Sequence, residues 1–418
     1  MSSTELPSVP PTSVLPKAAS VRVAEGERLR SVRLPGVTLT VRSRPPTRAG
    51  LQPALYVHGL GGSSQNWSAL MAQLDGVVES EAVDLPGFGD SPPPDDGNYS
   101  ITAHARAVIR HLDASGRGPV HLFGNSLGGA VATRVAAVRP DLVRTLTLVS
   151  PALPELRVQR TAVPTGLLGM PGVAALFTRF TREWTAEQRV RGVTALCYGD
   201  PGRVSPEAFG HAVEELERRM RLPYFWDAMT RSARGLVNAY TLGGQHGLWR
   251  QAERVLAPAL LVYGGRDQLV GFRMAQRSAR AFRDSRLLTL PNAGHVAMME
   301  YPETVATAFR ELLAETRDRA SATEPGAGPC TDAGVRSDAG RRSRPDADVG
   351  PRPDGRTGSG ADSDTDTDVD MDAHAAVDAE TASASAVTSD AESISARGTG
   401  SGSGSFSERA GGSAGSGS

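Results

Sequence analysis

From residue 54 onward, short apolar runs alternate with longer helix-like segments. The apolar runs are ALYV at 54–57, EAV at 81–83, VHLF at 120–123, LTLV at 146–149, ALLVY at 259–263 and LLTL at 287–290. Between them the spacing predicts helices near 64–74, 100–115, 127–139, 271–283 and 302–317. Continuous apolar strands separated by helices describe a parallel sheet covered on both faces. Ahead of this pattern, VTLTVR at 37–42 alternates apolar and polar positions as a half-buried strand does, and it pairs as a hairpin with the segment near 30–34. The predicted class is α/β, with a mostly parallel central sheet and helices on both faces.

One stretch breaks the alternation. Residues 153–250 read as helix-rich and hold ten of the chain's 21 aromatic residues, so they form a helical insertion rather than another strand–helix unit. Lying between the sixth and seventh apolar runs, the insertion is expected over the carboxyl edge of the sheet, where ligand chemistry sits in folds of this class. The organisation predicted is a flexible segment at 1–20, a first core part at 21–152, a helical cap at 153–250, a second core part at 251–320 and a tail at 321–418. The tail contains one aromatic, Phe406, among runs of Ser, Gly, Asp, Ala and Thr. Such composition buries too little apolar surface to offset the entropy of ordering, so it reads as disordered.

Charge follows the same division. The near-neutral total of −1 resolves into +8 through residue 320 and −9 beyond it. A basic fold raises the question of nucleic acid, but the arginines are scattered and form no basic helix or aromatic-interleaved patch, so no nucleic-acid partner is expected. The two cysteines, Cys197 and Cys330, show no metal-ligand spacing, and neither a metal nor a cofactor is expected. No apolar run approaches the ~18 residues of a membrane helix, and no membrane partner is expected. The first twenty residues lack the apolar core of a secretion signal, so the chain reads as cytoplasmic and soluble, acting on a small-molecule substrate. The sequence carries no reading of its oligomeric state.

The strongest chemical signal is Gly124-Asn125-Ser126-Leu127-Gly128, placed straight after the VHLF strand and opening a helix. A Gly-X-Ser-X-Gly turn in strand–turn–helix context presents an exposed, strained nucleophilic serine; the competing reading is a serine that merely caps the helix. A serine hydroxyl needs a base to take its proton. Of the eight histidines, His295 fits, in the loop after the last apolar run. Asp267, after ALLVY, is placed to hold the imidazole tautomer, with Asp141 a weaker substitute. The oxyanion requires backbone N–H donors: one from Leu127, the other from His58-Gly59-Leu60-Gly61-Gly62, where Leu60 is chosen ahead of Gly61. That loop lacks the third glycine of a dinucleotide fingerprint. His58, Gly59, Asn125, Trp184 and Trp226 are the candidate substrate contacts.

With these residues in place, the chain resembles the α/β-hydrolase superfamily in its capped, serine-nucleophile branch. The resemblance spans about 30–318 and rests on HGLGGSSQNW (58–67), DLPGFGDS (84–91), GNSLGG (124–129), YGGRDQLV (263–270) and NAGHVAMMEYPE (292–303). It implies a Ser126–Asp267–His295 triad and a hydrolase of esters or related acyl bonds. Alternatives it leaves open are carbon–carbon bond hydrolysis of ring-cleavage products and a catalytically silent binding protein. It also implies that Asp84, Gly87 and Gly89 shape a tight loop near the pocket. Superfamily members that open epoxides or remove halogen use aspartate where this chain has Ser126, which disfavours both chemistries.

Overall fold

The computed structural model describes residues 24–323, apart from 156–158, 168, 171 and 242–245. The segment 1–20, Cys330 and the acidic tail beyond residue 323 lie outside the described residues. The chain opens with β1 (Arg28–Leu34) and β2 (Val37–Arg44), then β3 (Gln52–Val57), α1 (Ser68–Gln73), β4 (Val78–Val83) and α2 (Ile101–Ser115). Next come β5 (Val120–Asn125), α3 (Leu127–Val138) and β6 (Val143–Val149). Between β6 and β7 run α4 (Val163–Leu167), α5 (Val173–Phe180), α6 (Ala186–Cys197), α7 (Pro206–Met220), α8 (Phe225–Thr241) and α9 (Leu248–Arg254). The chain then forms β7 (Ala259–Gly264), α10 (Met274–Ala281), β8 (Ser285–Leu290), α11 (Ala297–Glu300) and α12 (Pro302–Thr323).

Among the described residues eight strands form one sheet, in the order β1-β2-β4-β3-β5-β6-β7-β8. β1–β2 and β2–β4 pair antiparallel, and every pair from β4 to β8 is parallel. The α/β class read from the apolar runs is therefore the class observed. Successive residues of a strand face opposite sides, and here both sides are covered. On β3, Leu55 and Val57 join the layer packed by α2, α3, α9 and α10, whereas Ala54 and Tyr56 join the layer packed by α1, α11 and α12. In the second layer Tyr56 stacks on Phe123 at 4.4 Å between ring centroids, and Phe123 meets Phe309 of α12 at 4.8 Å.

This two-sided packing locates the site. α1, which follows β3, lies on one face of the sheet, and α3, which follows the neighbouring β5, lies on the other. The loops leaving β3 and β5 must therefore diverge, opening a crevice at their carboxyl ends. His58–Gly62 and Ser126 are those two loops. Two differences from the apolar pattern concern lengths: the 64–74 segment divides into a 3₁₀ turn, Ser64–Trp67, and the short α1, while α12 runs to Thr323, into the stretch read as tail.

Candidate active site

Ser126 sits between β5 and α3 with φ 54° and ψ −118°, a left-handed backbone rare outside glycine. It occupies the helix N-cap position but makes no side-chain capping bond, so the hydroxyl is not used by the helix. Its backbone is held instead: the N–H donates to Val149 O at 3.1 Å, and its carbonyl accepts from Gly129, Ala130 and Ala152. The flanking glycines are required by close backbone approach. A Cβ on Gly128 would collide with the carbonyl oxygens of Val57 and His58, and one on Gly124 would lie 2.8 Å from the Gly128 carbonyl carbon.

His295 lies in the loop between β8 and α11 and is buried. Its Nδ1 is 2.9 Å from Asp267 Oδ2 and 3.1 Å from Oδ1. Asp267 follows β7, and its Oδ1 also accepts the N–H groups of Leu269 (2.8 Å) and Val270 (3.0 Å). Burial alone would raise this carboxyl; the adjacent His295 and the hydrogen bonds outweigh it and hold Asp267 below the usual aspartate range. Asp141, the substitute, is an exposed partner of Arg139 on the 3₁₀ turn before β6. Of the other histidines, His121 spans Thr145 and Gln52 within the sheet, and His104 bonds Ser232 of α8.

The loop after β3 is ordered by His58. Leu85 N–H donates to His58 Nε2 at 3.0 Å, which leaves the proton on Nδ1, and Nδ1 donates to Gly59 O at 2.7 Å. Burial, with a smaller push from Arg219, lowers the His58 pKa to about 4 against the opposing effect of the Gly59 bond, so the ring is neutral near pH 7. Gly59 O accepts Gly62 N–H as well, at 3.1 Å. That carbonyl and the Leu60 N–H belong to one planar trans peptide, so fixing the first turns the second to the opposite side. A side chain at Gly59 would be tightly crowded, since a Cβ would lie 3.0 Å from Asn125 Oδ1 and 3.1 Å from Ser126 Cβ.

Three of the proposed substrate contacts have other partners, and a fourth, Trp184, faces solvent. Both His58 nitrogens bind backbone, as above. Asn125 is buried and its Nδ2 donates to Val149 O and His295 O, each at 3.0 Å, tying the serine turn to the histidine loop. Trp184 is half exposed in the turn between α5 and α6. Trp226 meets Phe225 edge to face on α8; it shares a helix face with Met229, whose Sδ lies against Gly61.

Two positions were not singled out for their role at the site. Glu300 of α11 is buried and accepts Gly294 N–H on Oε2 (2.6 Å) and Gly199 N–H on Oε1 (2.9 Å), clamping the residue before His295 to the segment after α6. The signal was an acid inside the apolar VAMME run. Arg219 of α7 donates from Nη1 to Gly61 O (2.9 Å) and Gly62 O (3.3 Å), pinning the loop after β3 from outside the sheet. Nothing in its local sequence marks it. Asp84 is also structural: it accepts Ser64 N–H at 2.6 Å and Asp90 N–H at 2.9 Å, and a Cβ on Gly89 would strike its carboxylate.

A family model described as "Alpha/beta hydrolase family" matches residues 54–308. The chain is 29% identical over 253 residues to the dihydrolipoyllysine-residue acetyltransferase component of the acetoin cleaving system of Cupriavidus necator, covering 60% of this chain and 60% of that protein's length. It is 26% identical over 288 residues to a pimeloyl-[acyl-carrier protein] methyl ester esterase of Neisseria meningitidis, covering 65% of this chain and 96% of the esterase. Its fold is similar to that of a meta-cleavage product hydrolase from Pseudomonas fluorescens, with TM-score 0.56 and 19% identity over 69% of this chain and 98% of that one.

Proposed function

The chain belongs to the alpha/beta hydrolase family, and from that premise we propose that it is a serine hydrolase cleaving an ester or related acyl bond of a small, fairly apolar substrate. The observation that carries the reading is the pairing of an uncapped Ser126 in strained backbone with a buried His295–Asp267 dyad on the same sheet edge. A residue that costs of order 1–3 kcal/mol to hold in left-handed backbone, yet does not use its hydroxyl for the helix, is positioned for something else. Asn125, bonded to the His295 carbonyl from the position next to Ser126, links the two halves.

The chemistry follows from the donors. With Nδ1–H held by the Asp267 carboxylate, Nε2 of His295 carries the lone pair that accepts the Ser126 proton. Ser126 Oγ bonds to the carbonyl carbon, and the electron pair of the C=O moves to oxygen. The N–H groups of Leu127, at the head of α3, and of Leu60 receive that charge; both are preorganised, so little reorganisation is needed as it forms. Collapse expels the alcohol, which takes the proton from Nε2 and leaves an acyl-Ser126 ester. Water then attacks with His295 again as base, releasing the acid and restoring the hydroxyl.

The reading is tested by hydrolysis of short- and medium-chain p-nitrophenyl esters. Ser126→Ala is expected to lower kcat by roughly 10⁴–10⁶-fold; an unchanged rate overturns the assignment. A panel that includes vinylogous diketones separates ester from carbon–carbon cleavage, and turnover of those compounds alone would move the reading to the second chemistry.

A further inference from the structure

Among the described residues, twelve large hydrophobic side chains are exposed, and six of them fall within 22 residues of one another: Val163, Leu167, Met170, Leu176, Phe180 and Trp184. Exposed apolar residues scattered singly need no explanation, but a cluster does. Val163 and Leu167 are four apart on α4, and Leu176 and Phe180 are four apart on α5, so each helix presents an apolar stripe to solvent. Phe180 is 75% exposed, the most of any in the set.

Charge distinguishes this segment from the rest of the helical insertion. Residues 156–184, which take in the whole cluster, contain four arginines, Arg157, Arg160, Arg179 and Arg182, against one acid, the exposed Glu183. The three arginines that lie among the described residues, Arg160, Arg179 and Arg182, are exposed. By contrast α7 mixes Glu207, Glu214, Glu215 and Glu217 with its arginines. Apolar stripes carrying aromatic side chains beside an excess of arginine suit an interface that is apolar within and anionic at its boundary. A second copy of the chain suits it poorly, because a two-fold contact would bring arginines onto arginines.

We propose that the α4–α5 segment is a docking surface for an anionic phospholipid bilayer, on which the protein rests without spanning it. No helix among the described residues is long and apolar enough to cross a membrane. Phe180, Leu176 and their neighbours enter the acyl boundary, and Arg160, Arg179 and Arg182 pair with lipid phosphates. The surface is independent of the chemistry proposed at Ser126.

The test is co-sedimentation of the full chain with phosphatidylcholine vesicles, with and without phosphatidylglycerol. Binding is expected to the anionic vesicles and to fall steeply as salt is raised, since screening contracts from about 10 Å at 0.1 M to about 3 Å at 1 M. Arg179→Gln with Arg182→Gln is expected to lower partitioning roughly five-fold per arginine, about 25-fold together. Leu176→Ser with Phe180→Ser is expected to lower it roughly tenfold or more. Unchanged thermal melting shows that these exposed substitutions leave the fold intact. Sedimentation with neither vesicle overturns the proposal, as does binding that neither double variant weakens. A dimer in analytical ultracentrifugation that Leu176→Ser with Phe180→Ser dissociates, without vesicle binding, assigns the face to a second copy instead.

Discussion

Replacing Asp267 by Asn tests the site through one atom. Asp267 Oδ1 accepts the N–H groups of Leu269 and Val270 at 2.8 and 3.0 Å, while Oδ2 faces His295 Nδ1 at 2.9 Å. An asparagine must keep its oxygen on the two loop amides, because its NH₂ cannot accept from them. The NH₂ group then falls at the Oδ2 position and donates to Nδ1, so the imidazole proton moves to Nε2. A ring protonated at Nε2 cannot take the Ser126 proton. The expected loss is about 10⁴-fold in kcat, or about 5 kcal/mol at 1.4 kcal/mol per decade. KM is expected to stay near its original value, because Asp267 is buried with its carboxylate taken up by His295 and the two loop amides. The assay is steady-state hydrolysis of a p-nitrophenyl ester, with thermal melting as a check that the loop is intact. A folded Asp267→Asn protein that keeps kcat within about one decade would refute the tautomer argument and remove Asp267 from the mechanism.

Three further outcomes follow from the geometry. Ser126→Gly should be more stable than Ser126→Ala by about 1 kcal/mol in urea titration, because only glycine tolerates φ 54° without strain; equal stabilities would show that the turn is relaxed. Gly128→Ala, which drives a methyl into the Val57 and His58 carbonyls, should cost about 1–3 kcal/mol and also depress ester hydrolysis, since Leu127 moves with the helix start. Burial lowers His58 and His121 to about 4 and His104 to about 3, from 6.5 in the unfolded chain. Between pH 6.5 and those folded values the unfolded chain binds protons that the folded one refuses, so stability falls as pH drops through the window. Moving from pH 7 to pH 5 should cost about 2 kcal/mol for each histidine, and a flat urea midpoint over that range would contradict the neutral assignments.

The architecture was legible because β3, β5, β6 and β7 are buried on both faces and appear in sequence as largely apolar runs, whereas β4, VESEAV, shows only its last residues that way. The position of Ser126 was legible for a related reason: the backbone approaches that exclude side chains at Gly124 and Gly128 leave their mark as glycines. Asp267 and His295 could be found by asking which polar residues follow strands. What escaped was the use made of polar side chains whose partners are remote. Asn125 reaches the His295 carbonyl 170 residues away, and Arg219 reaches Gly61 across 158. Hydrogen-bond partners at that separation depend on how the helices between β6 and β7 pack, which no local pattern encodes. The same limit applies to α9. It belongs to the helical run by sequence, yet it packs beside α3 in the layer under the sheet, with Gln251 bonded to Arg134.

The most direct measurement is covalent trapping. The full chain is treated with a fluorophosphonate, digested, and the modified residue located by peptide mass spectrometry, with Ser126→Ala and His295→Ala treated in parallel. A single adduct on Ser126 is expected, with no adduct in Ser126→Ala and slow labelling in His295→Ala because the hydroxyl loses its base. An unlabelled wild-type chain, or an adduct on a different serine, would contradict the Ser126 assignment.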